Sequence, residues 1–188
     1  MTVTDLARRE RLPEALRVLL EQYPRDLWES HRNFDGLTRF WLDRHLMFRK
    51  ALAQWQADTR GFLDNGRDPR THGQMTARIG GFLINELHGH HHIEDAHYFP
   101  ILSATESRLA HGFELLDADH HALDAQLADL TEAANTHLRA LPDRGADTKL
   151  SGGAMLARLD EFERFLDRHL VDEEELVVPV ILHHALRF

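Results

Sequence analysis

A chain of 188 residues has the length of one domain and is too short for two ordinary ones. With 43% hydrophobic residues it can build a core, and its formal charge of −9 runs against a nucleic-acid partner gripped through phosphates. The absence of cysteine excludes disulfide scaffolds, thiolate metal sites and iron–sulfur clusters, and leaves histidine, 15 residues of it, as the conspicuous chemistry.

The patterning is helical throughout, with prolines and glycines collected between apolar-periodic stretches. Pro13 opens a short helix through Leu16, Leu19 and Leu20 that ends before Pro24. A long helix over 33–58 follows, with Leu37, Phe40, Trp41, Met47, Phe48 and Leu52 at helical spacing. Residues 61–73 read as a loop containing Asn65-Gly66 and Asp68-Pro69, and a helix over 76–99 stops at Pro100. The next helix covers 108–138. After a loop over 142–153, the last covers 154–178 and is closed by Pro179. The fold class predicted is all-α: an up-down-up-down four-helix bundle over 31–188 behind a short helical extension, 1–30. No apolar stretch reaches the roughly 18 residues of a membrane span, and Arg8, Arg9 and Arg11 leave no apolar leader at the start. A soluble cytoplasmic protein is expected.

Two segments repeat. His90-His91-His92-Ile93-Glu94-Asp95-Ala96-His97-Tyr98-Phe99-Pro100 aligns with His169-Leu170-Val171-Asp172-Glu173-Glu174-Glu175-Leu176-Val177-Val178-Pro179 at an offset of 79 residues. Both have His, an acid at +4, another at +5, an apolar pair at +8 and +9, and Pro at +10. Upstream, His45 and His120 lie 75 residues apart, each with apolar residues at +3 and +7. The chain therefore reads as two copies of one helical hairpin. Each carries a His in its first helix and a His-x-x-x-acid late in its second.

Four residues advance a helix by about 400°, so the imidazole and carboxylate of a +4 pair lie one turn apart on one face. Two such helices, with one His from each remaining helix, supply four imidazoles and two carboxylates. That is too many for one tetrahedral zinc. A mixed nitrogen and oxygen set suits two first-row ions, iron first among them. A ferritin-type centre needs two Glu-x-x-His motifs, and only Glu94 to His97 provides one. The zinc-hydrolase motif His-Glu-x-x-His is absent.

These residues resemble the hemerythrin-like family, the HHE cation-binding domain, over about 33–181. The resemblance implies a bundle of two hairpins around a non-haem centre of two Fe ions, oxo- or hydroxo-bridged. It implies that His45, His90, His120 and His169 are terminal ligands and that Glu94 and Glu173 bridge the ions. Oxygen carriers of the family have a fifth His four residues from that of the third helix. Here Leu116 and Asp124 flank His120 at that spacing, so Asp124, a water or another group is the expected substitute. The carriers' acid at +5 from the last His corresponds to Glu174, a substitute for Glu173. His31 and His121 are the alternatives to His45 and His120.

The remaining imidazoles read as bystanders. His88, His91 and His92 are expected on a solvated face or behind the ligands, and His72, His111, His137, His183 and His184 on the surface. Trp41 and Tyr98 read as core. The function expected is binding or reduction of a small oxidant, namely oxygen, peroxide or nitric oxide. Having fewer imidazoles than the carriers favours peroxide turnover. The alternative is a non-enzymatic iron- or oxygen-responsive sensor that signals through a protein partner, the segment 12–23 capping the bundle or docking the partner, where the plain reading is that it packs on the bundle.

Overall fold

The computed structural model describes residues 5–64, 66–143 and 147–187. Asn65, residues 144–146 of the second expected loop and the first four residues of the chain lie outside the described residues. The elements are α1 (Gly36–Leu63), α2 (Pro69–Ile93), a five-residue π turn (Glu94–Tyr98) leading into α3 (Phe99–Thr105), α4 (Ala110–Ala140) and α5 (Thr148–His184). There is no strand among the described residues, and none of their helices is long and apolar enough to cross a membrane.

Two helices begin earlier than the apolar periodicity suggests, because aspartates cap them. The Asp68 carboxylate accepts from the Thr71 backbone N–H at 2.9 Å, with Pro69 as the first helical residue. Asp147 accepts likewise from Leu150, at 2.9 Å. These residues read as loop because Asp and Pro are also turn formers. Asp35 caps α1 through the Thr38 backbone and hydroxyl, at 2.8 and 2.9 Å.

Neither repeated proline ends a helix. Pro100 falls just after the π turn, where the hydrogen-bond ladder changes register and its missing N–H is accommodated. Pro179 lies inside α5, and the helix runs on to His184 because Val178, Val180, Ile181 and Leu182 are all buried. At the end Ala185 takes a positive φ of 53°, and the Leu186 N–H reaches back to Ile181 O, a left-handed helix stop.

The expected helix over 13–23 is also replaced. The chain there forms short 3-10 turns at Leu6–Arg8, Glu14–Leu16 and Arg25–Leu27 with hydrogen-bonded turns between them. Burial decides this local shape: Leu12, Leu16 and Leu19 are at most 5% exposed. Burying three leucines against a core outweighs the gain from regular helix in so short a segment.

The chain divides into two compact units, and each long helical run supplies residues to both. The first unit takes the chain up to Leu46, His90–Ala122, and the residues from Phe165 onward. Its main core joins Leu12, Leu16 and Leu19 to Phe99, Phe113, Leu116, Leu176 and Val180. A smaller cluster holds Trp28, Val178 and Leu182.

The second unit takes Met47–Gly89 and Leu123–Arg164. Phe48, Leu52, Trp55, Leu83, Leu127, Leu159 and Phe162 are buried in it. A Cβ on Gly80 would stand 2.7 Å from the Trp55 ring, so only glycine lets the indole lie against that turn.

His72 and His137, expected on the surface, are completely buried in this second unit. Asp58 accepts the His72 Nδ1–H at 2.6 Å, the two Nε2 atoms are 2.9 Å apart, and His137 Nδ1 is 2.9 Å from the Ser151 hydroxyl. The ring of Phe62 stacks on His72 at 4.5 Å. Burial, then the neighbouring His72, lowers the His137 pKa from 6.5 to about 4. A depressed folded-state pKa means stability that is full above about 6.5 and is lost as pH falls towards 4. The loss attributable to His137 is up to about 3 kcal/mol. Urea denaturation of the metal-free protein between pH 7 and pH 4 measures it, and His137→Gln is expected to flatten that slope.

Candidate metal centre

The end of α2 with the π turn that follows it, and the second half of α5, carry the two copies of the repeat. In the first unit the structure brings their side chains together with those of α1 and α4. One group comprises His45, His90, Glu94 and Glu173; the other comprises His91, His120 and His169. Within each group the potential ligand atoms lie within 4.8 Å of one another. All seven residues are buried, His90 the most exposed at 8%.

In the first group His45 Nε2 and His90 Nε2 are 2.9 Å apart, and Glu94 Oε1 is 3.0 Å from His90 Nε2. In the second, the His91 and His120 rings stack at 4.0 Å, and His169 meets His120 edge-on at 4.8 Å. The two carboxylates lie against both groups. Glu94 turns Oε1 to His90 and Oε2 towards His120 Nε2, 3.8 Å away. Glu173 Oε2 is 3.5 Å from His45 Nε2 and 3.4 Å from His169 Nε2.

Behind the ligand atoms is a crossed pattern of supports. His45 Nδ1 is 3.0 Å from Glu174 Oε1, and His120 Nδ1 is 2.8 Å from Asp95 Oδ1. Each imidazole donates Nδ1–H to its carboxylate and turns the Nε2 lone pair inward. The +5 acid of each repeat thus holds the first-helix histidine of the other hairpin. Trp41 donates its indole N–H to Glu94 Oε1 at 2.6 Å and lies 4.2 Å, ring to ring, from His45.

The electrostatics favour neutral imidazoles at His45, His91 and His169. Burial lowers the pKa of His45, and lowers those of His91 and His169 well below 6.5, with neighbouring imidazoles adding to the effect. Burial, then the Glu94 charge, raises the Glu173 carboxyl well above its usual range. Burial also acts to raise Glu94, but the neighbouring His90, by charge and hydrogen bond, outweighs it and holds that carboxyl low.

Seven buried atoms here have no hydrogen-bond partner: both nitrogens of His91, Nε2 of His120 and His169, Oε2 of Glu94 and both oxygens of Glu173. Orphaned buried polar atoms are costly, about 1–3 kcal/mol each. Gathered lone pairs of this kind from imidazole and carboxylate are the donor set of a first-row cation, so the residues fit such a group.

Sequence spacing reached six of these seven residues and missed His91, because consecutive residues sit 100° apart on a helix and His91 matches nothing in the second repeat. Asp124, the expected substitute, lies outside both groups. Its half-exposed carboxylate pairs with His88 at 3.3 Å in the second unit. Glu174 stands behind His45, outside the two groups. His121 is exposed, with Nδ1 on the Asp117 carbonyl, and His31 packs edge-on against Tyr23. His111 is exposed beside Glu114, as expected, while His183 and His184 form a third cluster with Glu106.

A helical chain presenting two adjoining histidine groups spanned by two carboxylates is a metal-binding protein by its chemistry. Residues 36–181 match the Hemerythrin HHE cation binding domain, and the chain belongs to that family. Searches of the curated proteins and of the solved structures found no match. The family is a cation-binding one.

Proposed function

We propose that this protein is an antiparallel four-helix bundle with a non-haem di-iron centre that binds or reduces a small oxidant: oxygen, peroxide or nitric oxide. His45 and His90 would hold one iron and His91, His120 and His169 the other, with the Glu94 and Glu173 carboxylates shared between the two positions. The single observation that carries the reading is the position of those two carboxylates, each within 4 Å of an imidazole of both groups. Bound iron supplies reversible one-electron chemistry and an acceptor for a diatomic ligand.

The chain's own residues do the rest. Asp95 and Glu174 orient His120 and His45. Trp41 fixes Glu94 through its N–H. Phe99, stacked on His120 at 5.4 Å, covers the second group with apolar surface. The His45–His90 position has one imidazole fewer than the other, so it is the one with room for an external ligand. With His91 the centre holds five imidazoles. It is then not short of imidazoles relative to the oxygen carriers, nothing favours peroxide, and the three oxidants stand as equal candidates.

The test is elemental analysis of iron-reconstituted protein with its visible spectrum, followed by oxygen, peroxide or nitric oxide added to the reduced form. Two irons per chain and a ligand-dependent spectrum are expected. A chain that takes up no iron overturns the reading. Peroxide lost equally fast with metal-free protein removes the catalytic version, and a sensor is then the better description.

A further inference from the structure

The family match begins at residue 36, yet the segment before it reaches the centre at two points. On one side, Arg25 Nη1 is 2.6 Å from Glu174 Oε2, while the other oxygen of Glu174 is 3.0 Å from His45 Nδ1. The guanidinium is held over the Trp28 ring at 4.5 Å, and Trp28 is itself buried and bonded through Nε1 to the Tyr23 carbonyl at 2.8 Å. On the other side, Arg9, 1% exposed at its side chain, grips Asp119 with both terminal nitrogens and Asp172 with Nε at 2.7 Å. Asp119 Oδ2 in turn lies 3.5 Å from His169 Nδ1, the outer limit of a hydrogen bond. Arg168 completes the junction, bonding both Asp172 and the Glu10 carbonyl.

His45 belongs to one group and His169 to the other. The leading segment thus provides one arginine behind a carboxylate behind a histidine at each position. A guanidinium on the far side of a carboxylate draws off part of its negative charge and fixes its direction. The carboxylate then sets the orientation of the imidazole and its strength as a donor.

We propose that residues 5–34 are a working part of the metal centre, with Arg25 and Arg9 as positioning residues, one for each metal position. This rests on the di-metal reading above. Removal of the segment is therefore expected to alter the metal centre along with any partner binding.

Arg25 is the residue to test, because its side chain is 48% exposed and Glu174, the buried carboxylate it pairs with, keeps His45 as a partner when Arg25 is lost. The full-length metal-free protein and its Arg25→Met and Arg25→Lys variants are titrated with cobalt(II), followed by the visible bands of the bound ion. Wild type is expected to take two ions per chain. In Arg25→Met one of the two binds at least about tenfold more weakly, the low end of the effect of losing an outer support. The bands of the other ion stay in place, and Arg25→Lys recovers most of the loss. Two ions bound by Arg25→Met with wild-type affinities and bands overturn the proposal. So does equal weakening of both ions, which marks a general loss of stability. Wild-type protein that binds neither cobalt nor iron overturns the di-metal reading, and this proposal with it.

Discussion

Replacing Arg9 with methionine is expected to destabilise the protein by about 3–5 kcal/mol, the usual consequence of breaking a buried ion pair from one side. Arg9 is 5% exposed, and its guanidinium answers two carboxylates that are themselves buried, Asp119 at 3% and Asp172 at 0%. Methionine fills similar volume but leaves Asp119 without its cation and Asp172 with Arg168 alone. Burial already raises the pKa of both carboxyls, with Arg9 acting in the opposite direction. Without Arg9 they rise further, so the variant's deficit grows as pH climbs through those raised values and is smallest in acid. Denaturation at pH 4.5 and pH 7.5 measures this. A deficit that does not depend on pH means that packing, not charge, holds the leading segment in place.

The second large effect concerns His91. In His91→Leu the proposed metal position at His120 and His169 loses a ligand, and its affinity is expected to fall by more than the roughly 100-fold upper range for outer supports. The metal-free protein should move the opposite way. Both nitrogens of His91 are buried without a partner, so an apolar side chain there is expected to stabilise the empty fold by about 1–3 kcal/mol. Iron content and thermal unfolding with and without metal together make the measurement. A His91→Leu protein that still holds two irons with an unaltered spectrum removes His91 from the ligand set.

What could be read in advance followed from regular helix geometry. The repeated His and +4 acid put His90 with Glu94 and His169 with Glu173 on shared faces, and the matching offsets tied His45 and His120 to them. The +5 acids, Asp95 and Glu174, were visible in the same alignment. Their work lies across the hairpins, however, on His120 and His45, and no spacing within one helix reveals a contact of that kind. The two prolines misled for a related reason. A proline removes one hydrogen bond locally, and the burial of Val178, Val180 and Leu182 around Pro179 more than offsets that loss.

The sequence by itself determined that the chain is helical, that it is two copies of one hairpin, and that its histidines and acids are spaced to face a common cation site. Periodicity encodes those properties, and periodicity is local. Only the tertiary structure decided that His91 turns inward while Asp124 stays at the surface, that His72 and His137 are buried, and that Arg9 and Arg25 stand behind the centre. Each depends on which helix lies opposite and on which polar atoms burial leaves in need of a partner.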